Sequence, residues 1–213
     1  MFDTINYRQR YYRKQDLKKL PIITIFILLI NVFVFLFIEI KDSTENVLSM
    51  MKYGATFEPL IIYNKEYYRL VTSMFLHFGI DHITSNMIFL VMLGREIENL
   101  VGRFKFLIVY MLSGIIANIV SVLYNYLRNY YVVGAGASGA VFGIMGMFLY
   151  FCIVVEGERR EFRKENAIIM IIYSLYSGFV SSNVNNVAHV VGLISGIIIS
   201  VPLLYNKKSH RNF

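Results

Sequence analysis

The 213-residue chain is 56% hydrophobic and only 16% charged, against roughly 25% charged residues in soluble domains, which excludes an ordinary water-soluble protein and points to a membrane. Its net charge of +7 would suit nucleic acid, but the placement of the basic residues, given below, assigns that charge to membrane topology. The single cysteine, Cys152, lies inside an apolar run and reads as a packing residue, and no C-x-x-C or H-E-x-x-H spacing offers a metal site.

Residues 1–20 form a basic tail carrying Arg8, Arg10, Arg13, Lys14, Lys18 and Lys19. An apolar run over 21–40 follows, long enough for a span of about 20 residues. It lacks a small-x-small cleavage site, so an uncleaved first span is expected. Residues 41–76 mix charges with Phe57, Leu60, Ile61, Tyr67, Tyr68 and Phe75, the composition of an ordered loop lying in the membrane interface. Further apolar runs cover 82–101, 104–126, 138–155, 167–182 and 187–205, and residues 206–213 form a second basic tail. The pattern predicts an all-α membrane protein of six transmembrane helices, with one domain over 21–205.

Lys and Arg test that count. Six lie in the N-terminal tail, three at the second connection (Arg95, Arg103, Lys105), four at the fourth (Arg159, Arg160, Arg163, Lys164) and three in the C-terminal tail. Five (Lys41, Lys52, Lys65, Arg69, Arg128) are left for the other side. The bias alternates as the positive-inside rule requires, with both termini cytoplasmic. Nothing remains to assign to nucleic acid.

The stretch from Val132 to Gly146 holds five glycines and one serine at the head of the fourth run. Gly134-x-Gly136-x-x-Gly139 matches a dinucleotide fingerprint in letters only, because an apolar run follows where a soluble helix and a ribose-binding acid are needed. Small residues also permit close packing of membrane helices. A third reading makes Ser138 a nucleophile at a helix N-terminus, with backbone N–H groups aimed at an oxyanion.

Polar residues on other runs favour the third. Runs two, four and six all enter from the outer side, so His77, His82 and Asn86, then Ser138, then Asn186 and His189 fall at one depth. Polar side chains inside spans are costly and mark function. His82 and Asn86 share a helix face at i and i+4, as do His189, Gly192 and Gly196 at i, i+3 and i+7. Gly139, Gly143 and Gly146 give the fourth run a matching small-residue face. Ser138 and His189 would meet at the top of that helix pair as nucleophile and base. No acid stands near them, so the expected unit is a dyad and not a triad. His82, Asn86 and the Ser138 N–H are candidate oxyanion donors. For any one of these residues a satisfied interhelical hydrogen bond is the simpler explanation; for the set it is not.

His77-x4-His82-x3-Asn86, Gly94-x3-Glu98 with Gly102, Gly136-Ala137-Ser138-Gly139 and Ala188-His189-x2-Gly192-x3-Gly196 together resemble the rhomboid family of intramembrane serine proteases, over roughly residues 20–205. The resemblance implies a six-helix bundle with a membrane-embedded first loop and a water-accessible site open to the outer side. It implies Ser138 and His189 as the catalytic pair, with His82, Asn86 and Gly136 at the oxyanion or substrate. His77, Glu98, Phe142, Gly192, Gly196 and Arg69 become supporting residues, and span five with the connection 181–185 becomes a mobile gate and cap. It implies transmembrane protein substrates within a lipid bilayer, with no cofactor or metal. Ile-, Asn-, Lys- and Tyr-rich usage suggests a bacterial cell membrane.

The chain departs from the resemblance twice. Many members carry Trp-Arg where this chain has Tyr68-Arg69, and many carry Tyr where it has Phe142. Neither change touches the dyad. The alternative reading is a non-catalytic rhomboid-like protein that binds membrane clients, although such relatives typically lack the serine, the histidine or both. A small transporter would require discontinuous helices or an internal repeat, neither of which is evident.

Overall fold

The computed structural model describes residues 20–155, 168–169, 171–173 and 185–204. In chain order the elements are α1 (Ile22–Lys41), α2 (Val47–Lys52), α3 (Glu58–Ile62), α4 (Arg69–Thr72), α5 (Gly79–Val101), α6 (Arg103–Leu127), α7 (Ser138–Tyr150) and α8 (Asn186–Leu204). A 3₁₀ turn, Ser73–Phe75, continues α4, and a π turn, Phe151–Val155, continues α7.

Helices α1, α6 and α8 are each long and apolar enough to cross a membrane, and α5 joins them when taken with the segment Arg69–Phe75, from which it bends by 90°. Ser138–Ile153 is apolar but shorter. Five of the six expected spans thus have a helix among the described residues. The sixth, the run 167–182, falls outside them except for five residues, as do the tails at 1–19 and 206–213 and the charged connection 156–167.

The apolar pattern explains how these helices are layered. In α7 hydrophobic and small residues occupy every side, and every residue from Gly139 to Phe148 is buried, as expected of a helix enclosed by others. Its neighbours are chiefly α6 and α8, with α5 beside it. Helix α1 instead buries one stripe, Thr24, Ile27, Asn31, Phe35 and Ile38, and exposes Phe26, Leu29, Phe33 and Leu36. Such a face would be a liability in water and suits hydrocarbon, where the backbone is satisfied within the helix.

Helices α7 and α8 touch backbone to backbone. A Cβ on Gly192 would run into the Gly139 carbonyl, and one on Gly196 into the Gly143 carbonyl. Such approach is possible only where side chains are missing from both faces. At the other end, Glu98 of α5 accepts hydrogen bonds from Ile23 N–H (3.0 Å), Thr24 N–H (2.8 Å) and Thr24 Oγ1 (2.8 Å). A carboxylate at a helix N-terminus satisfies orphan donors and opposes the helix dipole, so Glu98 ties α5 to the start of α1.

The connection from Asp42 to Phe78 is ordered by polar contacts that its sequence does not advertise. Asn46 caps α2 through Leu48 N–H (2.9 Å) and Ser49 N–H (3.2 Å). Arg69 is buried, and its Nη1 donates to the Met51 carbonyl (2.6 Å) and the Ala55 carbonyl (3.0 Å) while Nε donates to Glu66 (2.7 Å). One guanidinium therefore closes the loop around itself, using the planar fork that lysine lacks.

Candidate active site

The site is built from four pieces: the loop 128–137, the head of α7, the head of α8 and the start of α5. The loop reaches Ser138 with one isolated bridge, Gly134 to Thr56, as its regular pairing, and a ladder of acceptors from the first loop holds it. Val132 N–H donates to Glu58 Oε2 (2.9 Å). Gly134 N–H donates to the Thr56 carbonyl (2.9 Å), and Thr56 N–H returns a bond to the Gly134 carbonyl (2.8 Å). Gly136 N–H donates to the Ser73 carbonyl (2.9 Å), and Ala137 N–H to His77 Nε2 (3.3 Å). A loop otherwise short of backbone partners is thus satisfied.

Gly136 has φ +135°, a conformation that a side chain would strain. A Cβ there would also lie 2.8 Å from His82 Cε1 and Nε2, so the bare backbone is what lets the imidazole lie against the loop. Helix α7 then starts at Ser138. Ser138 thus lies in the first turn, where backbone N–H groups lack an intrahelical acceptor. The Ser138 side chain is partly exposed, whereas Ala137 and Gly139 on either side are buried.

Helix α8 is started by Asn185. Its Oδ1 accepts Ala188 N–H (3.0 Å), its carbonyl accepts His189 N–H (3.2 Å), and its Nδ2 donates to Ser121 Oγ of α6 (2.5 Å). This is an N-cap that also pins the helix to a neighbour. His189 is consequently fixed one turn in, 8% exposed, with Nδ1 buried and lacking a partner among the described residues. Its ring stacks on Phe142, with centroids 4.3 Å apart and planes at 21°. Because Phe142 lies one turn below Ser138 on α7, the stack carries His189 to the face of α7 that bears the serine. Among the described residues no hydrogen bond joins Ser138 to His189; the Phe142 ring is what relates them.

His82 makes an edge contact with His77, with centroids 5.1 Å apart and planes at 72°. Asn86 is buried and donates one amide N–H to the His82 carbonyl (2.9 Å). His82 and Gly136 are therefore neighbours, and His77 lies under the same loop. The Gly136 N–H, however, already serves Ser73, so whatever Gly136 offers a ligand is not that donor. Gly192 and Gly196 lie on the α8 face against α7, and Arg69 and Glu98 act at a distance, in the first loop and at the α1 junction. Among the described residues no group of three or more His, Cys, Asp or Glu could hold a metal ion.

Within the first loop, Glu66 accepts from Tyr68 Oη (2.9 Å) and pairs with Arg69 (2.7 Å). The Tyr68 hydroxyl, then Arg69, holds the Glu66 carboxyl below its ordinary value, and Glu66 in turn raises the Tyr68 phenol.

Glu58 and Ser73 are not among the residues that the sequence singles out, and Asn185 figures there only as the end of the 181–185 connection, not as a helix cap. Asn185, three residues before Ala188 at the start of an apolar run, carries an N-cap signature that could have found it. Glu58 and Ser73 have no local signal, because their partners lie 74 and 63 positions away.

The Rhomboid domain family model matches residues 64–206. The chain is 33% identical over 186 residues to rhomboid protease GluP of Bacillus subtilis, covering 86% of this chain and 35% of GluP, so it spans about a third of that relative. It is 30% identical over 204 residues to rhomboid protease AarA of Providencia stuartii, covering 84% of this chain and 71% of AarA. It is also 30% identical over 145 residues to inactive rhomboid protein 1 of Papio anubis, covering 65% of this chain and 16% of that protein.

Proposed function

The chain belongs to the rhomboid family, and from that premise we propose that it is an intramembrane serine endopeptidase acting on transmembrane proteins, with Ser138 as nucleophile and His189 as base. The observation that carries this reading is the Phe142–His189 stack, which relates a buried imidazole to a partly exposed serine at a helix N-terminus.

In the proposed reaction His189 takes the Ser138 proton as Oγ attacks the scissile carbonyl, and the carbonyl oxygen becomes an oxyanion. The Ser138 N–H, His82 and Asn86 stabilise that charge. His189 then gives the proton to the leaving amine, and the acyl-enzyme is hydrolysed by water that His189 activates in turn. Closure of the Ser138–His189 hydrogen bond accompanies substrate binding, since catalytic hydrogen bonds are often long in unliganded enzymes. A substrate helix must unwind before its carbonyls can be reached, so segments weakened by Gly, Pro or polar residues near the outer face are preferred.

The proposed setting is six spans with both termini cytoplasmic, the site opening outward and the first loop embedded in the membrane interface of a bacterial cell. Helix α7 and its π turn, 13 and 5 residues, rise about 27 Å, against a hydrocarbon core of about 30 Å. Ser138 would then start below the outer surface.

Because inactive relatives exist, a client-binding role is the competing reading. A serine-directed fluorophosphonate probe separates them: labelling of the wild type that disappears in Ser138→Ala supports the protease, and an unlabelled, folded wild type supports client binding.

A further inference from the structure

Glu58 is the residue that neither the dyad nor the helix packing explains. Its side chain is 1% exposed, yet among the described residues no ion pair involves it. A buried carboxylate without a cation is costly to maintain and persists only when hydrogen bonds satisfy it. Glu58 has two: Asn125 Nδ2 donates to Oε1 (2.9 Å) and Val132 N–H donates to Oε2 (2.9 Å). One partner is near the end of α6 and the other begins the run into Ser138, so a single carboxylate joins first loop, helix and serine loop.

Resting on the protease reading above, we infer that Glu58 is a positioning residue for Ser138. Both donors require an acceptor, and a carboxylate offers one oxygen to each. With Val132 held, the Thr56–Gly134 pair and the Gly136–Ser73 bond follow in register, and Ser138 enters α7 at a fixed height relative to His82 and His189. Without it, the Val132 N–H loses its partner and the ladder can fray from its first rung. Catalysis is sensitive to displacements of about 1 Å in such a group.

The carboxylate's two-acceptor pattern supplies its own test. Glu58→Gln keeps shape but turns one acceptor into a donor, which then faces either Asn125 Nδ2 or Val132 N–H. Adding Asn125→Asp to the same protein reverses the polarity of the first bond. The new amide at position 58 donates to the new carboxylate at position 125, and the amide oxygen is free to accept Val132 N–H. Fluorophosphonate labelling of Ser138, amide exchange of a peptide covering 128–137 and thermal unfolding are compared in wild type, Glu58→Gln and Glu58→Gln/Asn125→Asp. The expected result is labelling slowed roughly tenfold or more in Glu58→Gln, with faster exchange confined to that peptide, and recovery of both in the double variant. A labelled wild type with an unaffected Glu58→Gln, or a double variant no better than the single, overturns this inference alone. A wild type that takes no probe overturns the protease reading and the positioning role with it.

Discussion

The Phe142 ring lies nearly parallel to the His189 imidazole, 4.3 Å from it between centroids. An imidazole on a helix would otherwise choose among its rotamers; here one face is occupied by a ring from the helix that also carries Ser138. The stack thereby ties the orientation of the proposed base to the packing of α7 against α8.

Phe142→Leu should therefore slow substrate cleavage more than it destabilises the fold. Aromatic pairs contribute about 0.5–1.5 kcal/mol beyond burial, which corresponds to a loss of roughly 2- to 10-fold if the stack is needed in the transition state. Phe142→Tyr keeps the ring and should stay near wild type. Turnover of a model transmembrane substrate beside a thermal unfolding curve checks both.

Gly196→Ala should lower stability and activity together. The added methyl meets the Gly143 backbone carbonyl, which cannot swing aside, so α7 and α8 must part. Overpacking of this kind costs about 1–3 kcal/mol. A lower unfolding temperature in detergent is expected, along with slower cleavage because His189 moves with α8.

Most of the helix plan was legible because long apolar runs leave few alternatives: runs expected at 21–40, 104–126 and 187–205 became Ile22–Lys41, Arg103–Leu127 and Asn186–Leu204. The first loop was legible as ordered but not as a set of helices. Its segments are too short to be stable alone and are held by Arg69 and by caps such as Asn46. The π turn after Tyr150 had no sequence signal. At the site, i,i+4 spacing foresaw a shared face for His82 and Asn86. It could not foresee that Asn86 bonds the His82 carbonyl or that Ser73 takes the Gly136 N–H, since those depend on chain segments brought together only by folding.

Glu98→Ala should be among the most destabilising single changes. It removes the acceptor of three hydrogen bonds from Ile23 and Thr24, and each buried donor left unsatisfied costs about 1–3 kcal/mol. Glu98→Gln retains one acceptor oxygen and should lose less. Chemical or thermal denaturation in micelles ranks wild type, Gln and Ala in that order.

Glu66 gives the first loop an acid limit. Its folded-state pKa is depressed, chiefly by the Tyr68 hydroxyl and then by Arg69, so the stability it contributes is present above the unfolded value of about 4.3 and is lost as pH falls through the folded value. Glu66→Gln should be less stable than wild type at neutral pH, with the gap closing in acid. A gap that stays constant across the acid range would mean that the charge on Glu66 is not what orders the loop.

The proposed Ser138–His189 dyad is decided by cleavage of a fluorescent transmembrane peptide by purified wild type, Ser138→Ala and His189→Ala. Wild type should cut and neither variant should, with unfolding temperatures unchanged. Continued cutting at the same bond by Ser138→Ala would rule out Ser138 as the nucleophile.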